Sequence, residues 1–130
     1  MNHELGQKII QAALDEATGL GVNITISIVD MGGHLVAMQR MEGCGFLALE
    51  SSRKKAVTAS QLKSPTHVLG EVEQKIPLLQ RAFDKDVNLL TLPGGFPLFL
   101  DGQLVGGLGV GGGDFEQDKS VAQKAAQAIQ

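Results

Sequence analysis

"LPGGFPLFLDGQLVGGLGVGGGDFEQD", residues Leu92–Asp118, holds more than half of the chain's seventeen glycines. What those glycines do decides the fold. Gly107, Gly109 and Gly112 satisfy G-x-G-x-x-G after a strand-like run and before a helix-like one. A dinucleotide fold needs a further parallel strand beyond that helix, with an acidic residue about 20 positions on to hold the ribose. Only residues 113–130 follow Gly112, and a terminal helix uses them up. A phosphate-cradling Gly-Lys-Ser/Thr is also missing, so no nucleotide is expected. Glycines within a strand also let a neighbouring backbone or helix come close. That is the reading adopted for Gly106, Gly107 and Gly109, with Gly111–Gly113 forming the turn into the last helix.

Outward from this stretch, the pattern alternates between helical and strand periods. His3–Leu20 carries Leu5, Ile9, Ala13 and Ala17 at fourth places, an apolar helical stripe ended by Gly19 and Gly21. In "VNITISIVD", Ile24, Ile26 and Ile28 alternate with Thr25 and Ser27, which predicts a half-buried strand, and Gly32-Gly33 turns it into a second strand from Leu35 to Gln39. Phe46–Leu62 reads as a second long helix, with Leu49, Ala56, Ala59 and Leu62 as inner positions and small side chains that suit close approach to a sheet. Pro77 suits the first turn of a short helix. "NLLTL", "FPLFL" and "LVGGLGV" then read as about three strands, the last two joined at Asp101-Gly102. Asp114, with Gln117 three places on, has the spacing of a capping box for the final helix. Hairpins with flanking helices give an α+β fold, read as a single domain over residues 1–130.

Composition excludes several classes of function. The net charge is −3 and only Arg53, Lys54 and Lys55 are adjacent cations, so nucleic acid is not an expected partner. The single cysteine, Cys44, cannot form an internal disulfide. No apolar run reaches the ~20 residues of a membrane span. The N-terminus enters an amphipathic helix without a signal-peptide pattern, so a cytoplasmic location is expected.

"ISIVDMGGHLVAMQRMEG", "RKKAVTAS", "LPGGFPLFLDGQLVGGLGVGGG" and "EQD" follow one another in an order and spacing that resembles the GlcG/HbpS family, from about Leu5 to Ala128. That family also supplies the C-terminal domain of PduO-type proteins. The resemblance implies a profilin-like, five-stranded antiparallel sheet flanked by helices, and assembly into homo-oligomers. For several members it also implies binding of haem or a corrinoid. Secreted members carry a signal peptide, which is absent here, so their extracellular role is not carried over.

Haem iron needs an axial donor, commonly His. His3 lies at the terminus, and His34 follows a hairpin turn where a solvated side chain is the ordinary outcome. His67, in "SPTHVL", is the chosen iron donor. Thr66 beside it is a candidate ligand contact, although a Thr at a helix start most often caps. Lys55 is a candidate for gripping a carboxylate or a haem propionate. Its companion is the Pro93–Pro97 loop, in which Gly94 and Gly95 offer backbone N–H groups and Phe96 an apolar wall. Cys44 is either a thiolate donor or an inert small side chain. Glu71, Glu73 and Gln74 read as a solvated helix face. Three functions remain open: a binder of haem or a related tetrapyrrole, an enzyme or accessory protein for a small hydroxy acid or other carboxylate, and a ligand-free oligomeric assembly subunit.

Overall fold

A computed structural model describes residues 1–130. The elements run α1 (His3–Leu20), β1 (Thr25–Asp30), β2 (Leu35–Arg40), α2 (Phe46–Leu62), α3 (Thr66–Lys75), α4 (Pro77–Asp84), β3 (Gly95–Leu100), β4 (Gln103–Gly111) and α5 (Phe115–Ala126). Their ends are set by local chemistry. The Asn2 side chain accepts the Leu5 N–H at the start of α1, and Gly21, at φ 69°, closes it in the left-handed conformation. Asp114 and Gln117 form a reciprocal capping box on α5. Asp101 and Gly102 both take positive φ, the requirement of the tight turn joining β3 to β4.

The sheet is antiparallel throughout, in the order β2-β1-β4-β3. It has four strands, so the five implied by the family resemblance is corrected. The run that reads as an additional strand, "NLLTL", is coil. Its backbone groups pair with helix side chains instead of a neighbouring strand: the Leu90 N–H donates to Thr58 Oγ1, and the Leu92 carbonyl accepts from Thr66 Oγ1. Those hydroxyls satisfy polar groups that a sheet edge would otherwise have to satisfy.

One face of the sheet is apolar. Ile24, Ile26, Ile28, Leu98, Leu108 and Val110 join the inner stripes of α1 and α5 in one core. The other face carries α2. Thr25 and Ser27 are fully buried there rather than solvated, with Ser27 Oγ hydrogen-bonded to Ser52 Oγ at 2.8 Å. The strand predicted as half-buried is therefore buried on both sides.

Gly107, Gly109 and Gly111 share one side of β4, since alternate residues face the same way. A Cβ on Gly109 would lie 2.0 Å from the Ser52 carbonyl oxygen, and one on Gly107 would lie 2.5 Å from that of Ala56. Helix α2 thus rests on bare strand backbone. This also corrects its inner face: Ser52, Lys55, Ala56, Thr58, Ala59 and Ser60 are buried, while Leu62 is exposed. Leucine is too large for so close an approach.

Gly109→Ala should cost at least about 3 kcal/mol, the upper end for overpacking, because α2 has to move off the sheet. Gly19→Ala, in a helix with open space around it, should gain up to about 1 kcal/mol. Urea unfolding of the two variants measures both effects.

Candidate functional site

Lys55 is placed by the glycine face. Lying on the inner side of α2, its side chain is only 3% exposed and runs toward the end of β4. Its Nζ donates to the Val110 carbonyl at 2.8 Å and to Asp118 Oδ2 at 3.2 Å. Asp118, on the first turns of α5 and 5% exposed, also accepts the Gly113 N–H at 2.8 Å through Oδ1. Gly94 makes the meeting possible. A Cβ there would sit 3.0 Å from Asp118 Cβ and 3.1 Å from Lys55 Nζ, and the residue's φ of 121° favours glycine in any case.

Burial is the main force on both charges. It pushes the Lys55 ammonium below its ordinary 10.5 and the Asp118 carboxyl above its ordinary 3.8, with the partner's charge opposing the shift in each case. The carboxyl's stabilising effect is therefore complete below 3.8 and lost as the pH rises through its raised pKa. The ammonium's effect is complete above 10.5 and lost as the pH falls through its lowered pKa. Between those limits both groups are ionised and each bears its desolvation cost, so the pair fixes geometry more than it stabilises.

This pair forms part of the wall of the largest groove, about 720 Å³, together with the 42–45 loop, the first turns of α2 and Gly112–Gly113. Cys44, a free and buried thiol, lies on the same wall. His67 opens instead into a second groove of about 340 Å³ between α3, residues 91–93 and the start of α5. Leu92 and Phe115 are common to both grooves. Phe96 lines a third depression, under Pro65 and Phe99, and touches the His67 ring from there, with centroids 5.7 Å apart. The structure thus joins Lys55 with Gly94, and His67 with Phe96, in two separate places.

The Pro93–Pro97 loop is largely committed inward. The Gly95 N–H donates to Thr66 Oγ1 at 2.8 Å, and the Gly94 carbonyl accepts from the Val110 N–H. Thr66 makes no cap; its hydroxyl ties α3 to this loop by donating to Leu92 and accepting from Gly95. His34 is a surface residue bonded to Asp30, as a turn histidine should be.

His67 is half-buried, and its Nδ1 is enclosed without a hydrogen-bond partner. Burial foremost, with the nearby Lys119 charge, lowers its pKa below 6.5, which leaves the imidazole neutral at pH 7. Asp118 was not assigned a role from the sequence, and Glu73, read as solvated, is 8% exposed. One signal for Glu73 was available: it stands seven places after Thr66, on the same helical face.

A family model described as "Haem degrading protein HbpS-like" matches residues 1–127. The chain belongs to the HbpS-like family. Among its relatives, the corrinoid adenosyltransferase PduO of Salmonella typhimurium is 38% identical over 128 residues, which cover 98% of this chain and 38% of PduO. This HbpS-like chain therefore spans well under half the length of that relative. Protein GlcG of Escherichia coli is 33% identical over 110 residues, 85% of this chain and 80% of GlcG. A solved PduOC:heme complex superposes on the HbpS-like chain with a TM-score of 0.88 and 34% identity, covering all of this chain and 95% of the other. No helix is long and apolar enough to cross a membrane.

Lys55→Met should cost about 3–5 kcal/mol at pH 7, because it leaves the Asp118 charge buried alone. The loss should shrink as the pH falls through the raised pKa of that carboxyl toward 3.8, because the buried acid is protonated before its unfolded counterpart. Adding Asp118→Leu should recover much of it. Chemical unfolding across pH checks all three outcomes.

Proposed function

We propose that this chain binds haem, with His67 as the iron donor. The observation that carries the proposal is the PduOC:heme complex, whose fold matches this chain along its whole length at 34% identity. The residues here fit the requirement. An axial histidine must present a neutral ring nitrogen, and His67 is held neutral by burial, facing a groove. Its ring is packed at a tilt on Phe96 and so held in orientation. Leu92 and Phe115, 41% and 55% exposed, offer apolar surface for the macrocycle. Lys119 is the one cation lining the groove and suits a propionate. Lys55 is assigned no propionate, since Asp118 and Val110 already hold its ammonium. Bound haem would supply iron-centred redox or ligand-binding chemistry. The protein's own part is to hold the iron at His67, orient the ring and shield one face.

A groove of about 340 Å³ lies at the small end of ligand sites and covers only part of a tetrapyrrole. A second copy of the chain would cover the remainder, placing the haem at a subunit boundary.

Titration with haemin should give a saturable Soret shift at micromolar protein. His67→Ala should weaken binding about tenfold or more, while Cys44→Ala leaves it unchanged. Affinity should fall as the pH drops below 6.5, because protonation removes the lone pair that iron needs. Sedimentation with and without haemin should show the heavier species favoured when haem is present. A spectrum unmoved by protein would overturn the proposal.

A further inference from the structure

The groove at His67 contains a second feature, which iron ligation does not use. Glu73 lies on the buried side of α3, 8% exposed. Gly70, one turn earlier, has no side chain, and a Cβ there would fall 2.8 Å from the Thr91 carbonyl oxygen. The 91–93 segment therefore lies close against α3, and Thr91 Oγ1 donates to Glu73 Oε1. The other carboxylate oxygen, Oε2, is enclosed and accepts from no group of the protein. A carboxylate oxygen shut away from water without a donor is costly, and the cost is relieved by whatever brings a donor to it.

The rest of the lining indicates which donor. Glu71, Glu73 and Glu116 face Lys119 alone, so the groove is negative overall. The Glu71 and Glu116 charges are close enough to act on the His67 ring. That ring is neutral and does not offset them. Three or more His, Cys, Asp or Glu side chains in an arrangement fit to hold a metal ion occur nowhere in the chain. At about 340 Å³, the groove suits a ligand of few heavy atoms.

We infer that this groove is a binding site for a small primary ammonium ion, whose N–H groups reach Glu73 Oε2 within the field of Glu71 and Glu116. An ammonium supplies both the hydrogen and the charge that the lining lacks. An alcohol supplies the hydrogen alone, and a quaternary ammonium the charge alone. The inference does not depend on haem binding, because Glu73 and Thr91 take no part in holding the iron.

Calorimetric titration of the haem-free protein with propylammonium, 1-propanol and tetramethylammonium at constant ionic strength provides the test. Propylammonium should bind saturably in the millimolar range, with the other two about tenfold weaker or undetectable. Glu73→Gln keeps an oxygen for Thr91 to bond and should weaken propylammonium binding about tenfold. If that variant does not fold, Glu71→Gln/Glu116→Gln should weaken it several-fold through the field alone. His67→Ala should leave propylammonium affinity within about twofold while weakening haemin binding about tenfold or more, so the two readings fail separately. Equal binding of propanol and propylammonium, unchanged affinity in a folded Glu73→Gln, or heat that never saturates would each overturn the inference.

Discussion

The structure depends on a contact between backbones. Helix α2 lies on β4 where Gly107, Gly109 and Gly111 present no side chains, close enough that an added Cβ would run into helix carbonyls and amides. This approach leaves no room on the inner face of α2 for anything much larger than alanine, serine or threonine. Lys55 is admitted because its ammonium finds partners in the Val110 carbonyl near the end of β4 and in Asp118. The opposite face of β4 carries Leu108 and Val110, which bury in the core with α1 and α5. A single strand therefore has one backbone-packed face and one side-chain-packed face, and the three layers of the fold follow from that difference.

The Lys55–Asp118 pair is a consequence. It links α2, on one side of the sheet, to α5, on the other, and it passes where Gly94 leaves space at the start of β3. Two buried charges are an uneconomical way to gain stability, but they define a direction and a distance. Their bonds to the Val110 carbonyl and the Gly113 N–H fix the turn into α5. That turn places Phe115 between the two grooves, with Glu116 and Lys119 beside His67. The polar site is thus positioned from the far side by a pair that takes no direct part in it. Thr66 does the same from the near side, tying the start of α3 to the loop at Leu92 and Gly95.

Much of this was legible residue by residue. The periods of His3–Leu20 and Phe46–Leu62 gave both long helices, and Gly32-Gly33 and Asp101-Gly102 gave both hairpins, because these signals are local. The role of the β4 glycines was legible as well, since glycine within a strand lets a neighbouring backbone come close. Less legible was anything that depended on which hydroxyl reaches which carbonyl across the chain. "NLLTL" has strand composition, yet Thr58 and Thr66, some thirty residues earlier, take its hydrogen bonds. Leu62 has the right period for a core face, but the space between α2 and the sheet rejects it, and Leu49 is only partly buried.

The sequence by itself determined the two long helices, the antiparallel hairpins, the family and the presence of Lys55, His67 and the Pro93–Pro97 loop. All of these are written in spacing and in motifs that neighbouring residues enforce. Tertiary structure alone decided that Lys55 would be neutralised by Asp118, that Thr66 would strap rather than cap, that Glu73 would be buried, and that Lys55 and His67 would open into different grooves. The reason is physical. A buried charge or hydroxyl takes whichever partner the packing brings within about 3 Å, and for these residues that partner comes from a distant part of the chain.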